Sequence, residues 1–244
     1  MVERSIGLPE GISEEFAANL AFYRTARAVA QFSEYRLHRD EEYIFPRYYK
    51  PGDRLLDLAC GTGRTTLLLH EMGLQVKGID RSDVFIEIAK RRFPYLDMGL
   101  GSYDCIDEPD TCFSHVLISH NGIDCATPIT QRITALRECF RVLKPGGTLI
   151  YSSHNVKSLH WFSPYYRARL LWKFRNCIRA FKEWDYVFED GEYLFYGSAA
   201  CVVRQAKELG FQFVEARGFA DFRSIRLDHY FSPYLLYVFR RPVT

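Results

Sequence analysis

The chain has 244 residues, of which 48% are hydrophobic and 25% charged, and its formal net charge at pH 7 is +2. These values are typical of a soluble globular protein with one large core, and they argue against a protein that works mainly by neutralising a nucleic-acid backbone. The seven cysteines form no C-x-x-C pair and have no histidine at metal-ligand spacing. We therefore expect free thiols, no metal site and a cytoplasmic location.

Residues 1–50 are predicted to form a helical cover. Apolar residues recur at intervals of three and four between residues 12 and 45, and Pro46 and Pro51 are expected to break the chain after them. The N-terminus lacks the apolar segment of a signal peptide, and no run reaches about 18 consecutive apolar residues. We expect no transmembrane segment.

The stretch from Leu55 to Thr65 predicts a buried strand, a tight turn and the start of a helix. The strand is almost continuously apolar, as in a strand covered on both faces. Gly61 and Gly63 follow it, and glycine lets a ligand approach the main chain and the first N–H groups of a helix. The turn therefore predicts a nucleotide-like ligand without identifying it.

A second strand is predicted over residues 75–80 and ends in Asp80, 17 positions after Gly63. In a doubly wound sheet the end of this strand lies beside the first turn, where an acid can accept hydrogen bonds from both hydroxyls of a ribose. The alternative is that Asp80 caps the helix predicted over residues 82–92.

Polar residues follow two later strands, predicted over residues 116–119 and 148–153. Their ends carry Ser119-His120-Asn121 and His154-Asn155, which we expect side by side at the carboxyl edge of the sheet. Either histidine could act as a base, because imidazole titrates near neutrality. The alternative is that both histidines hydrogen-bond loop carbonyls.

The other predicted elements are a short strand at 97–100, helices at 130–142 and 199–209, and a terminal hairpin of strands at 211–217 and 235–240, one of them antiparallel to the rest.

Residues 156–198 are an insertion that we expect to form a lid. Its stretch from Lys157 to Lys182 is rich in Lys and Arg and has no acidic residue. The basic face of a helix at 164–183 is either solvated or attracts an anionic acceptor, with Arg175 and Arg179 as candidate contacts. Aromatic residues of the insertion and of the N-terminal helices could roof a pocket, although most of them are expected to be core residues of the lid.

Three motifs now occur in register: Asp57-x-Ala-x-Gly-x-Gly, Gly78-Ile79-Asp80 and the segment from Arg141 to Gly147. Together they resemble the class I S-adenosylmethionine-dependent methyltransferases. The resemblance implies an α/β fold with a doubly wound, seven-stranded Rossmann-like sheet whose last strand is antiparallel. Residues 51–155 would be the cofactor-binding core, and residues 199–244 would complete the sheet.

The resemblance also implies S-adenosylmethionine as the methyl donor and S-adenosylhomocysteine as its product. The positions expected at the cofactor are Asp57, Ala59, Cys60, Gly61, Gly63, Asp80, Arg81, Ser102, Tyr103 and Ser119. Ser102 stands where the family usually has an acid that contacts adenine, so Asp104 could substitute for it. The positions expected at the acceptor are Tyr23, Asn121, Asn155, Trp161, Arg175 and Arg179, with His120 and His154 as candidate bases.

We therefore expect a methyltransferase that acts on an oxygen or nitrogen of a small molecule of specialised metabolism or of a short peptide. The first alternative is methylation of a peptide or protein carboxylate, and the second is a non-catalytic cofactor- or partner-binding protein. RNA methylation fits the small net charge poorly. A dinucleotide oxidoreductase would need a third glycine where the turn has Thr66. The acceptor, the methylated atom and the oligomeric state are left open.

Overall fold

The computed structural model describes residues 14–158, 184–189, 192–218 and 230–243. Its helices are α1 (Glu14–Phe22), α2 (Ala26–Gln31), α3 (Arg39–Tyr48), α4 (Arg64–Glu71), α5 (Asp83–Arg92), α6 (Ile129–Val142) and α7 (Ala199–Glu208). Its strands are β1 (Arg54–Leu58), β2 (Gln75–Asp80), β3 (Asp97–Leu100), β4 (Phe113–Ile118), β5 (Leu143–Asn155), β6 (Trp184–Glu189), β7 (Glu192–Gly197), β8 (Gln212–Gly218) and β9 (Tyr234–Arg240).

The sheet is doubly wound and mixed. Strands pair in the order β3-β2-β1-β4-β5 with all neighbours parallel, and β9 then pairs antiparallel with both β5 and β8. The chain order reverses between β1 and β4, and in open α/β sheets ligands bind at such a switch point, outside the carboxyl ends of the strands. The expected fold class and its antiparallel last strand are confirmed.

The described sheet has nine strands rather than the expected seven. The two additional strands, β6 and β7, come from the segment that was expected to be part of a lid. They form an antiparallel hairpin, and β7 pairs with the end of β5 at His154 and Asn155. The helix predicted over residues 164–183, with Trp161, Arg175 and Arg179, lies outside the described residues.

Several element boundaries differ from the sequence predictions, and two of them have a clear physical reason. Pro46 lies inside α3 instead of ending the helical region, and the helix continues to Tyr48. A proline this close to the helix end removes only one N–H donor from the last turns. Strand β5 begins at Leu143 rather than at residue 148, because Leu143 pairs with Phe113 of β4 before a register shift.

The first strand is buried on both faces, as its apolar pattern predicted. Leu56 and Leu58 pack in the core cluster that covers one face of the sheet, whereas Leu55 packs in a second cluster with Ile44 and Phe45 of α3. Alternate residues of a strand point to opposite faces, so this arrangement follows from the pleat. Helix α3 is thereby fixed to the sheet, and its first turn lies near the carboxyl ends of the strands.

The described cysteines are free thiols, at positions 60, 105, 112, 125, 139 and 201. Cys177 belongs to a part of the chain outside the description. Among the helices that the structure describes, none has both the length and the apolar character needed to cross a membrane.

Candidate functional site

A cavity of about 900 Å³, solvent at its mouth included, lies at the carboxyl ends of β1, β2 and β4. Helices α1 and α2 and the linker to α3 form its other walls. Nine of the residues expected at the cofactor or the acceptor line this cavity. They are Ala59, Cys60, Gly61, Asp80, Arg81, Tyr103, Ser119, His120 and Tyr23.

The turn after β1 is held in a left-handed backbone conformation. Ala59 has φ +55°, Gly61 +59° and Gly63 +91°. The main chain of the turn is tied to the end of β2, because the Gly61 N–H donates to Oδ2 of Asp80 at 2.8 Å. Two strand ends that are distant in sequence thus form one rigid wall of the cavity, with only small side chains on the turn itself.

Asp80 is a buried acid whose bonds come from the main chain. Besides the Gly61 N–H it accepts the Ser82 N–H at Oδ1, also at 2.8 Å. The N-cap of α5 is Ser82, whose Oγ accepts from Phe85, so Asp80 is not itself the cap. Burial raises the pKa of Asp80 against the opposing effect of the backbone N–H groups. Each carboxylate oxygen keeps a lone pair, which suits the hydroxyls of a ribose.

Three of the positions expected at the cofactor do not line the cavity. Asp57 is fully buried, and its Oδ2 accepts the hydroxyls of Thr65 and Thr66, each at 2.7 Å, which fixes the start of α4 to β1. Gly63 is the N-cap of that helix. Ser102 donates to Asp104, whose other oxygen accepts from Gln131. Neither Ser102 nor Asp104 lines the cavity.

A buried ion pair joins the N-terminal helices to the turn. Arg64 donates to both oxygens of Glu41 at 2.7 and 2.8 Å and to Oγ of Ser119 at 2.7 Å. Burial alone would raise the pKa of Glu41, but the hydrogen bonds and charge of Arg64 outweigh it and lower the pKa. Bidentate pairs of this kind are geometrically specific. Glu41 therefore fixes the first turn of α3 beside the cavity.

His120 faces the cavity. Its Nδ1 lies 3.2 Å from Nε2 of His38, and its ring packs edge-on against Phe32 with centroids 5.1 Å apart. Nε2 of His120 makes no hydrogen bond within the described residues. Although His120 is exposed at the cavity mouth, desolvation by the surrounding protein, followed by the positive charge of Arg64, lowers its pKa. The ring is therefore neutral at pH 7 and carries at least one nitrogen lone pair.

His154 is engaged in a buried polar network and does not line the cavity. Its Nδ1 and its backbone N–H both bind Oδ2 of Asp124, at 2.8 and 2.7 Å. Asp124 and Arg132 are fully buried and paired at 2.7 Å. His154 also packs against Tyr196, with ring centroids 4.5 Å apart. The two candidate bases of the sequence thus have different surroundings.

The residues expected at the acceptor lie in different parts of the structure. Tyr23 lines the main cavity, where its hydroxyl donates to Glu192 and lies 3.0 Å from Sγ of Cys125. Burial, followed by Cys125 and Glu192, raises the pKa of Tyr23 well above its ordinary value. Asn121 lines a smaller cavity. Asn155 is buried and donates to the Ser232 carbonyl at 3.2 Å.

Sequence reasoning missed part of the cavity wall. The missed residues are Asn19, Gln31, Phe32, Glu34, Arg36, His38, Arg64, Thr65, Phe85, Gly122 and Cys125. Arg64 directly follows the glycine turn, and a residue at that position can be expected beside the ligand from the sequence alone. The N-terminal residues had no such signal, because their approach to the sheet depends on tertiary packing.

The matched family model is described as a methyltransferase domain and covers residues 55–147, from β1 to the start of β5. The chain contains a class I S-adenosylmethionine-dependent methyltransferase domain. A demethylmenaquinone methyltransferase of Symbiobacterium thermophilum is 36% identical over 119 residues, 45% of each chain. A malonyl-[acyl-carrier protein] O-methyltransferase of Serratia marcescens is 29% identical over 45% of this chain and 41% of its own.

These alignments span less than half the length of either relative. Among solved structures, the CcbJ methyltransferase from Streptomyces caelestis superposes with a TM-score of 0.65 at 16% identity, covering 92% of this chain and 99% of that one. This likeness shows the fold of the methyltransferase domain over nearly the whole chain. The expected family, and with it S-adenosylmethionine as the cofactor, are confirmed.

Proposed function

We propose that the protein transfers the methyl group of S-adenosylmethionine to an oxygen of a small hydroxylated acceptor, with His120 as the base. One observation carries the proposal: the main cavity contains both the residues suited to the cofactor and a neutral histidine whose Nε2 has no partner in the described part of the chain. A neutral imidazole within reach of an O–H group is the usual general base.

The residues present fit the cofactor. In this proposal Asp80 accepts the ribose hydroxyls, the turn at Ala59–Gly61 faces the methionine part, and the aromatic rings of Phe85 and Tyr103 contact the adenine. The guanidinium of Arg81 lies 4.2 Å from the centroid of the Tyr103 ring, which fixes that ring in the wall. The sulfonium supplies an activated methyl group, so the protein has to align the acceptor, exclude water and remove a proton.

A hydroxylated acceptor fits this cavity better than a carboxylate does. A carboxylate is already ionised, needs no base and would require a cation to hold it. Arg64 lines the cavity, but both oxygens of Glu41 already bind its guanidinium. Arg36 is largely exposed and paired with Glu34 at 3.1 Å.

Methylation of a ring carbon is a second candidate. Two relatives at 36% and 31% identity are demethylmenaquinone methyltransferases, although the alignments cover 45% and 49% of their lengths. An electron-rich phenol or quinol that loses its O–H proton becomes nucleophilic at both oxygen and ring carbon. The same position of His120 therefore serves both reactions.

Calorimetry and product analysis test the proposal in two stages. S-adenosylhomocysteine should bind with one molecule per chain. Incubation with S-adenosylmethionine and a panel of simple phenols, 1,4-dihydroxynaphthalene, aliphatic carboxylic acids and short peptides should then yield methylated products only from the hydroxylated aromatics. Mass spectrometry with fragmentation distinguishes O- from C-methyl products. Cofactor binding with methylation of carboxylic acids alone would overturn the hydroxyl assignment.

A further inference from the structure

A second, smaller cavity adjoins the main one. His38 and His120 line both cavities. The other walls come from α3, β5, β9 and the end of β4, through Asp40, Glu41, Asn121, Ser152, Tyr234 and Leu236. The cavity has room for about one water molecule. The two histidines thus form the wall that the two cavities have in common.

Two buried oxygens at this second cavity lack hydrogen bonds. Oδ1 of Asp40 and Oδ1 of Asn121 have no partner among the described residues, and the two residues are 4% and 7% exposed. Leaving a buried acceptor unpaired costs about 1–3 kcal/mol. Both residues line the small cavity, and a water molecule there would be a hydrogen-bond donor for these oxygens. The arrangement indicates a place built to hold a proton donor.

The histidine pair connects this place to the main cavity. Nε2 of His38 and Nδ1 of His120 are 3.2 Å apart, so one ring donates a proton to the other. Burial also lowers the pKa of His38, and the nearby charges of Arg64 and Arg36 act in the same direction against Glu41. Because both rings are neutral at pH 7, the shared proton can move from His120 to His38 only as His120 gains a proton at Nε2 and His38 releases one from Nδ1.

We infer that His120, His38 and the small cavity form a path that carries the acceptor's proton out of the main cavity to Asp40. This inference rests on the proposed function and adds the group that finally holds the proton. Asp40 touches neither acceptor nor cofactor in this scheme. It acts through the histidine pair.

The proton movements balance. The O–H bond of the acceptor breaks as an N–H bond forms at Nε2 of His120. The proton on Nδ1 of His120 moves to Nε2 of His38, and the proton on Nδ1 of His38 passes through the small cavity to Oδ1 of Asp40. A carboxylate becomes a carboxylic acid, both rings end neutral, and the acceptor oxygen is left with the electron pair of its O–H bond.

The surroundings of Asp40 suit this role. Burial raises the pKa of Asp40 to about 7, the charge of Glu41 adds to the rise, and backbone N–H groups and Arg64 oppose it. The other titratable groups at the cavity are His38, His120 and Tyr234. Because the folded-state pKa exceeds the ordinary value, the native protein retains a proton that the unfolded chain has lost. The contribution of Asp40 to stability therefore falls as the pH rises toward 7.

The first test needs no acceptor. In protein with ¹⁵N-labelled histidine, the ring-nitrogen shifts of His38 and His120 should change together in wild type with a midpoint near pH 7, because Asp40 accepts or releases its proton. Asp40→Asn should abolish that change. The matched control is Glu42→Gln, which removes the same charge from the same helical turn at an exposed position. Ring signals that titrate identically in wild type and Asp40→Asn would overturn the inference.

The second test uses 1,4-dihydroxynaphthalene as the acceptor. Asp40→Asn should lower kcat about tenfold near pH 7 and flatten its rise with pH, with the affinity for S-adenosylhomocysteine unchanged. His38→Gln interrupts the path one step earlier and should give the same profile. A wild-type profile in both variants would reject the path. If wild type does not methylate this diol, the proposed acceptor class fails, and the nuclear magnetic resonance titration still decides the role of Asp40.

Discussion

The carboxyl ends of β4 and β5 have the same two residue types in the same order, and the structure uses them differently. At the end of β4, His120 lines the cavity and its Nε2 has no partner in the part of the chain that is described. At the end of β5, His154 binds Asp124 through both its ring and its backbone N–H. One strand end is available for chemistry, and the other is part of the folded core.

A single buried acid makes the difference. Asp124 lies in the short 3-10 turn after β4, where it also accepts from Ser153 at 2.6 Å and from the guanidinium of Arg132. It therefore orients the end of β5 through charge-assisted bonds. No comparable acid accepts from the ring of His120, whose one polar contact in the described structure is His38. The chemical role of a histidine at a strand end depends on which buried acid lies next to it.

The largest expected effect separates the two histidines directly. His120→Gln should lower kcat with 1,4-dihydroxynaphthalene by roughly 10²–10⁴-fold, because the general base is lost while the cavity wall remains. His154→Gln should lower kcat far less and should reduce stability instead. Initial rates and denaturant unfolding of both variants measure the contrast.

Both variants should retain affinity for S-adenosylhomocysteine, and calorimetry provides that control. Equal losses of kcat in the two variants would mean that both strand ends contribute to catalysis in the same way. A kcat that is insensitive to His120→Gln would remove the general base from the proposal and leave alignment alone.

The second effect concerns the acid that holds His154. Asp124→Asn should reduce the free energy of unfolding by about 3–5 kcal/mol, because Arg132 would be left buried without its counter-charge. Urea denaturation with a two-state fit measures the change. The control is Asp83→Asn, which breaks an exposed pair with Arg24 and should have little effect. A small loss in Asp124→Asn would show that the network is not what fixes the end of β5.

The sequence was sufficient for the cofactor side of the molecule because its signals are local. An apolar strand, a glycine turn and an acid at the next strand end lie within residues 55–80, and their arrangement follows from the geometry of parallel strands. The roles of His120 and His154 could not be separated in this way. They depend on contacts with Asp124 and His38, which lie 30 and 82 positions from their respective partners.

The hairpin of β6 and β7 was missed for a different reason. Trp184, Tyr186 and Phe188 alternate with other residues, and this period of two is the signal of a strand. The aromatic character of Trp184 and Tyr186 is compatible with the roof of a pocket or with a packed core, and it does not by itself indicate a hairpin. Trp184 and Tyr186 in fact pack against the main hydrophobic core.

A third prediction compares Asp124 with the buried acid of the cofactor side. Within the described residues Asp80 accepts from backbone N–H groups alone, and it lines the cavity, so its remaining lone pairs are available to a ligand. Asp80→Asn should weaken the binding of S-adenosylhomocysteine roughly tenfold to hundredfold, because a charged acceptor is lost. Asp124→Asn should leave the affinity of the folded protein unchanged. Isothermal calorimetry that finds equal affinities for wild type and Asp80→Asn would reject the ribose assignment.

The smallest effect concerns backbone strain, which also differs between the strand ends. Ala59, His120 and Asn121, at the cavity side, have positive φ angles, and His154 and Asn155 do not. A left-handed alanine is strained, and glycine relieves that strain at some entropic cost, so Ala59→Gly should stabilise the protein by roughly 0.5–1 kcal/mol. Thermal unfolding measures the shift.

Ala30→Gly, at an exposed position of α2, is the matched control for this last substitution and should change stability in the opposite direction, because that residue is helical. Strain at functional sites persists where it keeps a ligand-binding geometry. A stabilised Ala59→Gly protein with weaker binding of S-adenosylhomocysteine would show that the strained turn is retained for the cofactor. If Ala59→Gly lowers stability as Ala30→Gly does, the turn after β1 is not strained, and the distinction between the strand ends then depends on their hydrogen bonds alone.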